Sequence, residues 1–481
     1  MKFFLEKLSS RKALYYILIG GALLRLLFLF FGGKIYYGTA NFFIQGDTDS
    51  WFNSFVNFWN HGTYQSYGGI ESSKFFRPPG YSFLFGFFYL LSFENYAVAW
   101  KLLVGAQLIM DIASIYIISR IAAYAVRDSN HDKKIVYSNM AALLFACYPF
   151  AIVWAPVLYA ETSSVFFTLL SILFALKETS PKNIFFAGLF GGIATLLRLQ
   201  SAFCVLFAGI VVFNAARDRK QRFRYITYFS FAVLVSYGLW PMRNIFFQHR
   251  VLFSQDLNIG RNWSRDYMSF MDYIFSIKTD YNSVYHEIIE NKEVHWPAAA
   301  YLEPGDSALL DSAVNLCRTC GTGFSYWKFF SGLQQEVVAP GQSCDTAIDK
   351  IFTTLSARQR TKNPVSYWLK VPLGNLSKCL FKISLYGNKS RVVKISGSSL
   401  FILRSFFVCL GFLGLYTGFR KKFFTEKFLL FSAGYIVTWY IFLSFFYRNI
   451  EMRYLLHCDI LLLIPSAYLL VLFFRRNQPA T

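Results

Sequence analysis

The run ALYYILIGGALLRLLFLFF, residues Ala13 to Phe31, follows Lys2, Lys7, Arg11 and Lys12 and holds about 19 almost uninterrupted apolar residues. Coiled as a helix, it covers a hydrocarbon core of roughly 30 Å. It is too long for the apolar core of a secretory signal, and no small-residue site of the A-x-A kind follows it. It therefore reads as a retained first transmembrane helix. Runs of the same kind recur at about 97–119, 136–156, 160–176, 184–198, 200–214, 225–242, 396–418, 428–446 and 455–474. Together they predict an all-α polytopic membrane protein of about 10 transmembrane helices.

Composition agrees. Of 481 residues 55% are hydrophobic and only 16% charged, where a soluble domain carries roughly a quarter charged residues. Soluble, fibrous and disordered classes are excluded. The net charge of +21 would suggest nucleic acid for a soluble chain, but here its placement assigns it to topology, and no nucleic-acid partner is expected. With the N-terminus inside, short inner loops hold Arg120, Arg127, Lys133 and Lys134, then Lys177 and Lys182, then Arg217 to Arg224, then Arg420, Lys421, Lys422 and Lys427, and last Arg475 and Arg476. Lys and Arg in short loops stay on the cytoplasmic side. A further full span at Tyr81 to Phe93 would invert every later loop, so that apolar piece reads as an interfacial or re-entrant helix.

Three regions follow: a transmembrane module over 1–245 with its first outer loop at 32–95, an outer soluble segment over 246–395 whose fold the sequence leaves open, and C-terminal helices over 396–481. The expected location is a bacterial inner membrane with the outer segments in the periplasm. No fixed-period repeat and no inverted repeat is evident, which argues against a solenoid and weakens a transporter reading. Of eight cysteines, Cys317, Cys320, Cys344 and Cys379 lie in the large outer segment. Cys317 and Cys320 have C-x-x-C spacing, yet no second pair completes a metal site. Structural disulfides of unassigned pairing are favoured over free thiols or metal.

Several polar stations fall on the outer side. Gly46-Asp47-Thr48-Asp49 puts two carboxylates just after the first span. Asp47 is either the N-cap of a helix carrying Phe52, Phe55 and Phe58, or a general base. Arg77-Pro78-Pro79-Gly80-Tyr81 is either punctuation before an apolar helix or a guanidinium fixed at headgroup level to hold a phosphate. Glu161 sits in a tight outer turn, and Arg198 closes one span as a snorkelling or functional cation. Trp240-Pro241-Met242-Arg243-Asn244 ends another span, and Arg453 precedes the last. The acids and arginines thus gather at one membrane face, and such costly charges favour a site.

In order, Gly46-Asp47, Arg77-Pro78-Pro79-Gly80-Tyr81, Ala160-Glu161, the stretch from Gly188 to Arg198 and Trp240-Pro241-Met242-Arg243-Asn244 resemble the C-type (GT-C) glycosyltransferases. The likeness is to the glycosyltransferase family 39-like group of dolichyl-phosphate-mannose protein mannosyltransferases and aminoarabinose transferases, and it spans the first half of the chain. It implies a GT-C-like helix bundle that moves a sugar from a polyprenyl-phosphate donor to a protein, lipid or glycan acceptor, in contact with membrane lipid. By position Asp47 matches the family's loop-one acid, the catalytic base, with Asp49 close enough to share that role. Arg77 matches the residue that binds the lipid phosphate, with Tyr81, Glu161, Arg198, Arg243 and Asn244 as substrate-binding candidates.

The implied chemistry is inverting displacement at the anomeric carbon, with Arg77, Arg243 or Arg198 stabilising the departing phosphate. Some relatives use a divalent metal and others do not. Carboxylates near Asp47, Asp49 and Glu161 would suit Mg or Mn, and the metal stays unassigned. The chain departs from the mannosyltransferases in having Asp-x-Asp for their Asp-Glu pair and Trp51 where Tyr is commoner. Two alternatives remain: an O-antigen ligase or polymerase type, with its necessary residues in the later outer loop, and a transporter or flippase of a lipid-linked glycan, with polar residues at mid-span.

Overall fold

A computed structural model describes residues 2–68, 70–127, 130–257, 263–279, 282–337, 342–381 and 391–476. Among these residues there is no β-strand, only one bridge between Val126 and Phe424. Five helices are long and apolar enough to cross a membrane: Lys12–Tyr37, Tyr96–Ala125, Gly397–Arg420, Glu426–Tyr447 and Met452–Arg475. The chain is thus a multi-pass membrane protein. Shorter apolar helices run over Pro79–Leu91, Glu161–Leu176, Pro181–Leu197 and Leu199–Asn214, so five of the ten expected spans reach that length and apolarity.

The expected run over 136–156 is divided into His131–Ala146 and Pro149–Trp154, because a proline has no N–H to continue the ladder. The run over 225–242 instead begins at Arg219, where Asp218 accepts a cap hydrogen bond from the Gln221 amide, and ends at Tyr237. Caps also set the starts at Asn95, Asn130, Ser180 and Thr425, each side chain satisfying an amide that the first turn leaves open.

The helices alternate between two ends of the bundle. At one end the basic loops meet: Arg127 pairs with Glu426 at 3.1 Å, and Lys427 donates to Thr179 at 3.0 Å and to the Lys177 carbonyl at 3.4 Å. From there Pro181–Leu197 and Glu426–Tyr447 run to the other end, while Glu161–Leu176 and Met452–Arg475 run back from it. Asp47, Glu161, Arg198 and Arg453 therefore lie together at that far end.

Two ion pairs inside the bundle depart from the expectation that charges gather at one face. Arg25 pairs with Asp111 and donates to the Gly21 and Ala146 carbonyls. Arg404 grips Asp459 through two bonds of 2.7 and 2.8 Å, and Tyr148 donates to the same carboxylate at 2.8 Å. Burial of an ion in apolar surroundings is costly unless its partner and hydrogen bonds are complete; carbonyl and hydroxyl groups complete the Arg404–Asp459 pair, whereas Arg25 keeps one guanidinium nitrogen, Nη2, buried without a partner. Each pair locks one helix against another.

The segment over 246–395, expected on the outer side, is helical among its described residues and has its own core, built on Phe270, Tyr273, Ile274, Ile288, Phe324 and Phe352 from helices Arg265–Ile277, Asn282–Ile289, Thr322–Phe330 and Gln342–Lys362. A Cys320–Cys344 disulfide ties two of its helices, and Cys317 stays a buried free thiol. The following helix, Val371–Phe381, returns to the bundle, where the Cys379 and Leu380 carbonyls accept from Arg404.

Candidate active site

Asp47 occupies the N-cap position of helix Thr48–His61, yet its carboxylate makes no cap hydrogen bond. It is directed instead at two cations. One oxygen accepts from Arg77 at 2.8 Å and the other from Arg453 at 2.7 Å, so the capping reading of this residue fails. Neighbouring polar groups fix its backbone: the Asp47 amide donates to the Tyr159 hydroxyl at 3.2 Å, and the Ser50 hydroxyl donates to its carbonyl at 2.6 Å.

Arg77 leads into helix Pro79–Leu91, where Pro78 is extended and Pro79 needs no amide partner. Its guanidinium lies 4.9 Å from the Trp51 ring and 4.2 Å from the Phe76 ring, and it also donates to the Ser50 hydroxyl at 2.8 Å. A cation held between two aromatic faces and two acceptors has little rotational freedom. Gly80 makes the approach of its helix feasible: a Cβ there would lie 2.6 Å from the Leu196 carbonyl, next to Arg198.

The remaining charges interleave. Arg453 binds Glu451 at 2.6 Å and lies 3.7 Å from Glu161, while Arg198 pairs with Glu161 at 2.7 Å. Tyr454 packs under Arg198 and Arg453 and donates to Glu451 at 3.0 Å. Three guanidiniums (Arg77, Arg198, Arg453) thus meet three carboxylates (Asp47, Glu161, Glu451), a balance of zero. Burial pushes the Asp47 carboxyl up, but the fields of Arg77 and Arg453, the Arg453 hydrogen bond and the more distant Arg198 outweigh it and hold it well below the usual carboxylate range.

Asp47, Arg77, Arg198, Glu451 and Arg453 line a chamber of about 340 Å³ whose other walls include Trp51, Gln200, Trp263 and Trp439. Glu161 Oε2, Gln200 Nε2 and both ring nitrogens of His457 are buried without a hydrogen-bond partner. Such orphaned groups mark places where a polar ligand or water fits. Across the Pro78–Pro79 ridge lies a second cavity of about 620 Å³, walled by Phe58, Phe83, Phe87, Phe167, Leu239 and Trp240.

Four of the sequence candidates converge here: Asp47, Arg77, Glu161 and Arg198. The others do not. Asp49 is exposed and outside the chamber, because two residues along a helix turn the side chain to another face. The Tyr81 hydroxyl is buried on Gln107. Arg243 borders the apolar cavity and donates to the Lys74 carbonyl at 3.1 Å and to Asn244 at 2.8 Å. Asn244 in turn donates to the Leu252 carbonyl at 3.0 Å, so this pair braces a loop. Glu451, Tyr159 and Tyr454 were missed, and Arg453 was noticed only as a rim charge. The signal lay in Arg448-Asn449-Ile450-Glu451-Met452-Arg453, a short charged link between two apolar runs.

A divalent ion does not fit this donor set. Both Asp47 oxygens already face guanidiniums, one Glu161 oxygen faces Arg198, and no group of three His, Cys, Asp or Glu side chains stands close enough to ligate among the described residues.

No family model matches the chain, and no curated protein sequence does. Among solved structures, ArnT from Cupriavidus metallidurans in the apo state is similar at 14% identity and a TM-score of 0.28, over 88% of this chain and 73% of that one. A likeness of that degree fixes neither fold nor activity.

Proposed function

We propose that this chain is a membrane glycosyltransferase of the GT-C type, moving a sugar from a polyprenyl-phosphate donor to an acceptor on the outer, periplasmic side of a bacterial inner membrane. The observation that carries the proposal is the Asp47 carboxylate clamped by Arg77 and Arg453 at the wall of a polar chamber beside an apolar cavity. The ordered sequence motifs supply the reaction type.

In the proposed reaction the donor phosphate enters the chamber and draws hydrogen bonds from Arg453, Arg77 and Arg198, while its prenyl chain occupies the apolar cavity. The acceptor hydroxyl oxygen attacks the anomeric carbon from the face opposite the phosphate, and the bond from carbon to phosphate oxygen breaks. The hydroxyl proton passes to Asp47, and the polyprenyl phosphate leaves with its charge on the guanidiniums. Of the unpartnered buried atoms, Gln200 Nε2 belongs to a residue of the chamber wall and is suited to a sugar hydroxyl.

The test is transfer from a radiolabelled polyprenyl-phosphate sugar to membrane extract by protein in lipid nanodiscs. Asp47→Asn should abolish transfer in a protein that still inserts and elutes as wild type. Full transfer by that variant would overturn the assignment.

A further inference from the structure

The outer helices meet the bundle at another polar cavity, of about 570 Å³, a size that suits a small ligand and that the donor reaction does not use. Tyr447 lines both this cavity and the chamber of Asp47, so the two share a wall residue. Arg448, next to it, has a left-handed backbone with φ of 60°. Its guanidinium donates to the carbonyls of Phe445 at 3.0 Å, Phe275 at 3.2 Å and Tyr367 at 2.9 Å. Those bonds tie the bundle, the outer core and the juxtamembrane turn together, and they use up Arg448 as a ligand group. Arg265 is likewise paired with Asp349 at 2.7 Å.

What remains is a defined set of unused groups. Among the described residues Asp272 makes no hydrogen bond or ion pair, and Ser356 Oγ is buried without a partner. Arg360 lies 5.4 Å from the Tyr367 ring and donates to its hydroxyl at a long 3.4 Å, and Trp368 is 48% exposed. One anionic acceptor, one hydroxyl, one cationic donor and one flat aromatic surface match a sugar ring, with hydroxyls around its edge and C–H groups on its face. The charged lining is Arg265, Arg360 and Arg448 against Asp272 and Asp349; Arg265 is spent on Asp349 and Arg448 on three carbonyls, and Asp272, the acceptor left open, would repel an acidic ring, which favours a neutral one.

We propose that this cavity binds a neutral saccharide and serves as the acceptor subsite, presenting a hydroxyl past Tyr447 toward Asp47. The acceptor role rests on the glycosyltransferase reading, whereas saccharide binding does not. When transfer occurs, that hydroxyl oxygen bonds to the anomeric carbon, its proton goes to Asp47, and polyprenyl phosphate departs.

Binding is read by saturation-transfer-difference NMR on the full chain in nanodiscs without donor, with maltotriose as the neutral probe and trigalacturonate as the acidic one. The expected result is saturation of maltotriose ring protons that exceeds that of trigalacturonate. It should fall at least fivefold in Trp368→Ala and in Asp272→Asn, return largely in Trp368→Phe, and persist in Asp47→Asn. Trp368 and Asp272 are exposed, and gel filtration checks that both variants remain folded. No maltotriose signal, a stronger trigalacturonate signal, or signals unchanged in both variants would overturn the site. Maltotriose binding as expected together with full transfer by Asp47→Asn would sink the donor-side reading and leave this site standing.

Discussion

Replacing Asp47 by Asn separates catalysis from folding because the structure supplies other partners for both of its cations. Arg77 keeps Ser50 and the Trp51 and Phe76 rings, and Arg453 keeps Glu451. Asn also retains one carbonyl oxygen as an acceptor, so the cost to folding stays near that of one charged hydrogen bond, about 2 kcal/mol. The cost to reaction is larger. Positioned general-base catalysis contributes roughly 10²- to 10⁴-fold, which at about 1.4 kcal/mol per tenfold raises the barrier by about 3–5 kcal/mol. Initial rates in nanodiscs at saturating donor should fall by that factor, and donor KM should not rise, because Arg77 and Arg453 are released for the phosphate. Asp49→Asn, altering an exposed carboxylate outside the chamber, should stay within twofold of wild type. A large loss in Asp49→Asn with Asp47→Asn unimpaired would refute the assignment.

Four further outcomes follow from particular contacts. Because the arginines hold Asp47 below the ordinary carboxylate range of about 4, it stays ionised as pH falls; the acid limb of kcat/KM should lie below about pH 4, and Arg453→Gln should move it upward in a pH–rate series. Mutating Cys320 and Cys344 to serine releases a loop with a separation of 24 residues and should destabilise the outer segment by about 3 kcal/mol, read as earlier loss of its protease resistance on heating. Gly80→Ala puts a methyl group 2.6 Å from the Leu196 backbone and should cost about 1–3 kcal/mol in overpacking, with lower transfer from a displaced Arg77. Arg404→Met alone leaves Asp459 buried without its cation and should impair folding by about 3–5 kcal/mol; adding Asp459→Leu should restore much of the yield of monodisperse protein.

The contrast between what the sequence reveals and what it hides has a physical basis. Runs such as Ala13 to Phe31 and 455–474 declare themselves because every residue contributes to hydropathy, whereas one charge in such a run barely changes the mean. Arg25, Asp111, Arg404 and Asp459 went unremarked for that reason, and their pairing across helices needs tertiary structure. Pro149 was legible as a residue but not as a break, since a proline near a membrane surface ends some helices and only bends others. At the site, Asp47 and Arg77 stood out as charges beside apolar runs. Their third partner, Arg453, lies 406 residues from Asp47, and nothing local to either residue encodes that distance.

The arginine clamp raises a difficulty that the charge balance resolves. A carboxylate held far below neutral is a poor proton acceptor, since general bases work best near the ambient pH. In the free site, however, three carboxylates exactly match three guanidiniums in number, and each acid has at least one cation. Donor binding adds a phosphate of at least one negative charge to a chamber that was neutral, so the guanidiniums become outnumbered. Arg453 already serves Asp47, Glu451 and Glu161, and it is the cation with most to redistribute. As its donors turn toward phosphate, Asp47 loses the interaction that depressed its proton affinity, and it becomes an effective base only once the sugar is in place. The acid limb of kcat, which reports the donor complex, should therefore lie at higher pH than that of kcat/KM, which reports the free enzyme. Coincident limbs would mean that the phosphate leaves the clamp on Asp47 intact, and the base would have to be sought elsewhere.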